Sequence, residues 1–311
     1  MRKFLIRVVL FVLPLIAFLS AVELSERNNT FKAKSDWISR NENNIEVLIL
    51  GSSQNWRDIN PEYLSYETAP LAHGESAINM DFLVLEKYLN LFPNLKVVVF
   101  EIGYHNLEES KPSNWSKNHL FNIYYGVNNY GKAPSIKEYF LVTSNPKEYI
   151  KRFFTSDKNE KFGRYNSYGF VTESPNTLFE KLGYDSIKIE LRAENYLMGR
   201  HVEEAIDIYH ENVRKLKKAI RSCLEKDIAV VLLSPPKHYT YNMNMLEDKL
   251  QRRNLVFEYY SNIENVFIWN FEREYEFDSQ YFGDPDHLNP KGAKIFTKSL
   301  DSLFLKVINP K

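Results

Sequence analysis

The sequence predicts an α/β protein built on a parallel sheet, and two observations support this fold class. Short apolar runs, several of them rich in β-branched residues, alternate with longer segments whose apolar residues recur at helical spacing. Such alternation favours parallel strands with helices on both faces of the sheet and right-handed crossovers between strands. The predicted strands cover residues 45–50, 69–74, 95–102, 227–233 and 266–271.

The α/β domain is predicted to cover residues 45–311, with an insertion at 107–200. The clearest helix spans 202–224, where an apolar stripe lies opposite a basic run, and 292–307 forms the closing helix. The insertion is loose in pattern and rich in aromatic residues, and we expect it to cover or border the site. Its aromatic residues either form the small core of such a lid or offer a platform on which sugars stack.

The N-terminal segment, residues 1–23, is predicted to be a membrane helix. A basic flank at 2–7 precedes an apolar run at 8–22, and the run is long enough to span a bilayer when counted from Phe4. An uncleaved anchor is the favoured interpretation, and a signal peptide cleaved near Ala21 is the alternative. In both cases the basic side stays in the cytoplasm and the body is exported. Residues 24–44 are polar and predict a juxtamembrane linker or helix.

Composition excludes several classes of protein. The 40 Lys and Arg balance the 40 Asp and Glu, so bulk charge does not favour nucleic acid. Cys223 is the single cysteine, which excludes an internal disulfide framework and a multi-cysteine zinc site. Four histidines, at 73, 105, 238 and 287, fall near the ends of predicted strands, but their spacing matches no compact ligand pattern, so neither a metal nor another cofactor is expected.

Two short motifs carry the chemistry. Ser53 ends a Gly-Ser-Ser turn directly after the first predicted strand, and His287 follows Asp284 by three residues near the closing helix. A serine hydroxyl needs a base to act as a nucleophile, and the base needs an orienting carboxylate. Both motifs lie at carboxyl ends of strands, so folding can bring them together. A lone Gly-Ser-Ser is also an ordinary polar turn, and a histidine at a helix start can be structural.

Together the two motifs resemble those of the SGNH, or GDSL-type, hydrolase family. Gly51-Ser52-Ser53 matches its serine block, with Ser52 at the place of the name-giving aspartate, and Asp284-Pro285-Asp286-His287 matches its final block. The Leu-Asn-Pro-Lys-Gly that follows is common in membrane-anchored, cell-envelope branches. The resemblance implies a flavodoxin-like strand order, Ser53 as nucleophile, His287 as general base and then acid, and Asp284 as its orienter. Asp286 is the alternative orienter.

The resemblance also implies donors for the developing oxyanion. Gly74 matches the family's glycine after the second strand. His105 stands where the family has an asparagine, and Asn106 follows it, so either side chain is a candidate for the third donor.

Four further residues are candidates for binding substrate. Asn55 follows the serine turn, and Lys237 and His238 follow the fourth predicted strand. Tyr168 lies in a glycine-containing loop of the insertion, where an ordinary surface turn is the alternative interpretation.

The predicted function is that of an exported, membrane-anchored serine hydrolase or O-acyltransferase with an acyl-serine intermediate. By the resemblance, its substrates are acyl esters of cell-surface glycans, and a membrane-bound protein is a possible acyl donor. The alternative is a non-catalytic glycan-binding or envelope-assembly factor on the same scaffold.

Overall fold

The computed structural model describes residues 1–155, 165–197, 204–276 and 278–309. Its centre is a parallel five-stranded sheet of order β2-β1-β3-β4-β5, which confirms the predicted α/β class and flavodoxin-like order. A separate antiparallel pair, β6–β7, follows the sheet. The strands are β1 (Val47–Ile49), β2 (Thr68–Pro70), β3 (Val97–Glu101), β4 (Ala229–Ser234), β5 (Val266–Asn270), β6 (Phe282–Asp284) and β7 (His287–Leu288).

The described helices lie before, between and after these strands. They are α1 (Arg2–Glu26), α2 (Thr30–Asn41), α3 (Ser53–Asp58), α4 (Ile78–Tyr88), α5 (Asn118–Tyr125), α6 (Leu141–Ser144), α7 (Pro146–Thr155), α8 (Leu178–Lys181), α9 (Ser186–Leu197), α10 (Ile206–Leu224), α11 (Tyr239–Asn242), α12 (Glu247–Tyr260) and α13 (Pro290–Ile308). Short 3₁₀ turns occur at Pro61–Tyr63, Asn106–Glu108, Ile136–Tyr139 and Ser279–Tyr281.

The sheet separates two apolar cores, because successive strand side chains point to opposite faces. Val98 and Phe100 of β3 belong to the core that α4, α10 and α12 cover. Val97 and Val99 belong to the core that α13 covers with Phe296 and other apolar residues. The molecule is therefore three layers deep, with every residue of β3 buried.

Helix α1 is apolar enough to cross a membrane, with a mean hydropathy of 2.6 over 18 residues of which 6% are buried. The segment 24–44 that follows, predicted as a juxtamembrane linker or helix, contains α2, which packs on the domain. Phe31 and Ile38 of α2 are buried in the core, and the Phe31 ring stacks on His73 at a centroid distance of 3.7 Å. Lys34, also buried, donates a hydrogen bond of 2.5 Å to the carbonyl oxygen of Ala72.

The segment predicted as an insertion carries α5 to α9, and α5 contributes Phe121 and Tyr125 to the main core. Residues 156–164 and 198–200 of this segment lie outside the described residues. The predicted helix at 202–224 is present from Ile206 to Leu224, and its expected start at 202 also lies outside them.

Candidate active site

The structure brings Ser53, His287 and Asp284 together at the carboxyl edge of the sheet. Ser53 is the first residue of α3, directly after β1 and its turn. Its Oγ lies 2.8 Å from Nε2 of His287, across 234 positions of sequence. The other ring nitrogen, Nδ1, lies 2.8 Å from Oδ1 of Asp284. A hydroxyl, an imidazole and a carboxylate thus form one continuous relay.

The two segments are tied to each other beside the relay. Asp58, at the end of α3, accepts a hydrogen bond of 2.8 Å from the backbone N–H of Leu288. At the start of α13, Asn289 accepts from the N–H groups of Lys291 and Gly292, each at 3.0 Å. A Cβ on Gly292 would lie 2.2 Å from the carbonyl oxygen of Tyr281, so only glycine fits this close approach. These contacts fix the hairpin that holds His287 against α3.

A second carboxylate faces the histidine. Oδ1 of Asp286 lies 3.2 Å from Nδ1 of His287, the same nitrogen that Asp284 contacts. Burial alone would lower the pKa of His287, but Asp284 and Asp286 outweigh it and raise that pKa to about 10. Burial acts to raise the pKa of Asp286, but the His287 charge and hydrogen bonds hold it well below its usual value. The free site therefore favours imidazolium at neutral pH.

The serine turn is held by Glu101, which the sequence analysis missed. This buried residue ends β3 and accepts hydrogen bonds from the N–H groups of Ser52 and Asn55 at 2.8 and 2.9 Å, and from the Ser52 hydroxyl at 2.5 Å. Gly51 has a φ of +136° and lies against Glu101, where a Cβ would approach to 2.7 Å. An acidic residue at the end of an otherwise apolar strand was the signal that could have revealed it.

A pocket of about 590 Å³ opens beside Ser53, and two of the three predicted oxyanion residues line it. Gly74 and His105 are among its lining residues. Asn106 is not among the described lining residues: its side chain accepts from Gly103 N–H at 2.6 Å and donates to Glu101 at 3.1 Å. The amide of Asn106 is therefore engaged in holding the loop and Glu101.

The four predicted substrate-binding residues are not among the described residues that line this pocket. Asn55 is buried and donates to the carbonyl oxygen of Leu50 at 2.7 Å, which closes the serine turn. Lys237 is also buried, and the His238 ring lies between the hydroxyls of Thr240 and Ser279, at 2.8 and 2.9 Å.

Tyr168, the fourth candidate, lies on Trp37 of α2, with ring centroids 4.0 Å apart.

Charged side chains that the sequence analysis did not single out line the pocket instead. They include the cations of Arg57, Lys111 and Lys117 and the carboxylates of Glu75 and Glu109. Arg57 lies 3.6 Å from Asp284, and Lys117 lies 3.1 Å from Glu75. No sequence pattern joins these positions, because the fold assembles them from helix α3 and two separate loops, 71–77 and 109–117.

The histidine hairpin also has the residue types of a metal site. Asp284, Asp286 and His287 offer ligand atoms within 4.8 Å of one another. A metal at that point would take the His287 nitrogen that the relay uses, and the nearby Arg57 would repel it. The donor set thus fits the relay better than it fits a cation.

Fold and site together define a class of protein: a three-layer α/β domain with a serine, a histidine and an aspartate in line at the carboxyl edge of its sheet. No protein-family model matches the chain, and no curated protein matches it. Among solved structures, a protein from Streptococcus pneumonia described as a platelet activating factor matches over 94% of this chain and 98% of its own length. The identity is 12% and the TM-score 0.42, and similarity at this level carries no information on activity.

Proposed function

We propose that the protein is a serine hydrolase or O-acyltransferase of the SGNH type. The observation that carries the proposal is the unbroken relay from Ser53 through His287 to Asp284, with both contacts at 2.8 Å. This is the arrangement in which a histidine can accept the hydroxyl proton while a carboxylate holds its ring.

In the proposed reaction the Ser53 oxygen attacks the carbonyl carbon of an acyl ester, and its proton passes to Nε2 of His287. The ester C–O bond breaks, the alcohol leaves with the proton from His287, and an acyl-serine remains. Water or an acceptor hydroxyl then attacks the acyl-serine by the same route in reverse. The backbone of Gly74 and the imidazole of His105 line the pocket and are the proposed donors to the oxyanion.

The proposed substrates are acyl esters of cell-surface glycans. Charged and polar side chains dominate the described pocket lining, with Trp56 as its large apolar residue. Such a lining suits a short acyl group and a hydroxyl-rich acceptor better than a long acyl chain. A membrane-bound acyl donor protein belongs to the same proposal, because it would supply the acyl group when the reaction is a transfer. Transfer requires that the acceptor hydroxyl compete with water for the acyl-serine, which a site covered by the insertion would favour.

Helix α1 is proposed to remain attached as an anchor, with the body exported. Its carboxyl end makes specific contacts with the insertion, which a cleaved signal would have no reason to make. Glu23 accepts a hydrogen bond of 2.9 Å from the N–H of Val142, and Glu26 forms an ion pair of 3.2 Å with Arg152. Val22, which precedes Glu23, is fully buried in a cluster with Leu141 and Val142 of the insertion.

A fluorophosphonate probe tests the mechanism on the full chain in detergent or nanodiscs. We expect wild type to label, Ser53→Ala to lose labelling entirely, and His287→Ala to label at least about a hundredfold more slowly. Ser302→Ala is the control for loss of a serine hydroxyl and should label at the wild-type rate, because Ser302 is exposed on α13 and donates to the carbonyl oxygen of Lys298 in its own helix. Labelling of Ser53→Ala at the wild-type rate would contradict the proposal.

A non-catalytic glycan-binding factor is the second candidate. The observation that favours it is the engaged amide of Asn106, which removes one expected oxyanion donor. On this alternative, wild type fails to label and to turn over acetyl esters, and glycan binding is the same in Ser53→Ala as in wild type.

A further inference from the structure

The insertion exposes a group of apolar side chains that we call the interfacial patch. It consists of Ile136, Tyr139, Phe140 and Phe154, which are 81%, 49%, 44% and 69% exposed. They lie in the 3₁₀ turn before α6 and at the end of α7. Large apolar residues grouped on a surface mark a contact with a partner or a membrane.

The interfacial patch adjoins the carboxyl end of α1. The ring of Phe18, in α1, stacks on Phe154 with centroids 5.9 Å apart and meets Phe153 edge-on at 6.0 Å. At the other end of the patch, Arg27 donates a hydrogen bond of 3.2 Å to the carbonyl oxygen of Tyr139. The interfacial patch therefore lies beside the last turns of α1, from Phe18 to just past its end at Arg27.

The length of α1 sets the depth of that contact. Residues 4–22, apolar except for Arg7 and Ser20, rise about 28 Å as a helix, close to the roughly 30 Å of a bilayer's hydrocarbon core. If the hydrocarbon core ended between residues 17 and 18, only residues 4–17 would lie within it, and these rise only about 21 Å, too little to span it. Phe18 must therefore lie about 6 Å inside the hydrocarbon boundary at Val22. Phe154, stacked on Phe18, shares that depth, which is the depth that interfacial side chains reach.

Exposed lysines accompany the interfacial patch in the sequence. Lys137, Lys147 and Lys151 are all exposed in the same segments, and Lys132 is exposed in the loop before them. The exposed Glu148 is paired with Arg152 at 3.6 Å. Aromatic rings at the boundary with basic side chains outside it are the pattern that suits anionic headgroups.

We propose that the interfacial patch inserts into the lipid surface at the carboxyl end of α1, so that the body lies on the membrane in one fixed orientation. The inference rests on the proposed anchor and not on the proposed chemistry. Tyr149 of α7 bonds His119 of α5 at 2.7 Å, and Lys117, two residues before His119, lines the active-site pocket. The patch therefore holds the pocket rim at a constant height above the lipid, on the side of the membrane where a membrane-borne substrate or donor would approach.

Nitroxide accessibility on the full chain, in nanodiscs that contain phosphatidylglycerol, tests this placement. Single labels go on Phe154→Cys and Ile136→Cys, and native Cys223 stays unlabelled because it is buried. Leu255→Cys is the matched control: it is 61% exposed but lies on α12, which packs at the β5 edge of the sheet, opposite α2. Leu10→Cys, at a position that is 66% exposed in α1, reports whether α1 lies in lipid.

We expect labels at 154 and 136 to collide several-fold more with oxygen, relative to water-soluble nickel chelate, than the label at 255. The label at 136 is a second reporter of the same surface, because Phe154→Cys removes the ring contact with Phe18 and Ile136→Cys leaves that contact in place. A lipid-exposed label at 10 with water-exposed labels at 136 and 154 would overturn the inference alone. A water-exposed label at 10 would overturn the anchor and the inference together, while the probe reaction of Ser53 is scored separately.

Discussion

The serine turn and the histidine hairpin use buried carboxylates in opposite ways. At the turn, one carboxylate, Glu101, accepts hydrogen bonds from Ser52, Asn55 and Asn106 and so holds the backbone of the turn in place. At the hairpin, two carboxylates, Asp284 and Asp286, converge on one ring nitrogen of His287. The first arrangement fixes where the nucleophile stands, and the second sets how readily the proposed base gives up its proton. The comparison separates position from basicity, and each can be tested by replacing one oxygen with nitrogen.

The largest effect is expected for Asp284→Asn. An amide cannot accept the Nδ1 proton in the way a carboxylate does, so His287 loses its orientation and tautomer. We expect the plateau rate of probe labelling, reached at high pH, to fall roughly 10³–10⁴-fold. Asp301→Asn, on the outer side of α13 where the carboxylate bonds Ser65, is the control and should match wild type. A variant that keeps the wild-type plateau and only moves the rising limb of the rate to lower pH would show that Asp284 tunes the base and does not orient it.

A smaller loss is expected for Glu101→Gln, which keeps the shape of the side chain. One acceptor oxygen becomes a donor that faces either the turn N–H groups or the amide of Asn106. We expect the free energy of unfolding to fall by about 1–3 kcal/mol and the labelling rate to fall up to about 10²-fold. Urea unfolding measures the first effect. Glu46→Gln, which removes a half-exposed pair with Lys96, should change stability by at most about 1 kcal/mol.

Asp286→Asn is expected to change the pH dependence and little else. Removing one of two carboxylates lowers the raised pKa of His287, so the neutral base becomes available at lower pH. Each unit of lowering increases the neutral fraction at pH 7 about tenfold, and the labelling rate at that pH rises with it. The rising limb of the labelling rate against pH should move to lower pH while the plateau stays constant. If the rising limb stays at the wild-type pH, Asp286 does not contribute to the raised pKa of His287.

The fold could be predicted from the sequence because its strands are apolar and its helices periodic. The five runs and the closing helix reflect burial, which a single sequence records. The proximity of Ser53 and His287 was also predictable, since parallel strands present their carboxyl ends at one edge.

Polar positions at that edge were harder to predict, because a polar residue after a strand can face either the pocket or the protein. Asn55 and Asn106 both turn inward to satisfy backbone and carboxylate groups, and His238 binds two hydroxyls of its own neighbourhood. The charged rim at Lys111 and Lys117 belongs to the insertion, whose loops show no periodic pattern. The roles of the site residues stay predictions until the probe experiments are done.

The packing of α2 bears on how a water-soluble form could be prepared. Phe31 and Lys34 clamp the loop at 72–74, which presents Gly74 to the pocket, through a ring stack and a hydrogen bond to Ala72. A fragment trimmed to the first strand at residue 45 would discard this clamp along with the anchor. A fragment that begins just before Asn29, the N-cap of α2, would lack the apolar helix α1 but keep the contacts of Phe31 and Lys34. It is therefore the better starting point for crystallisation and assays.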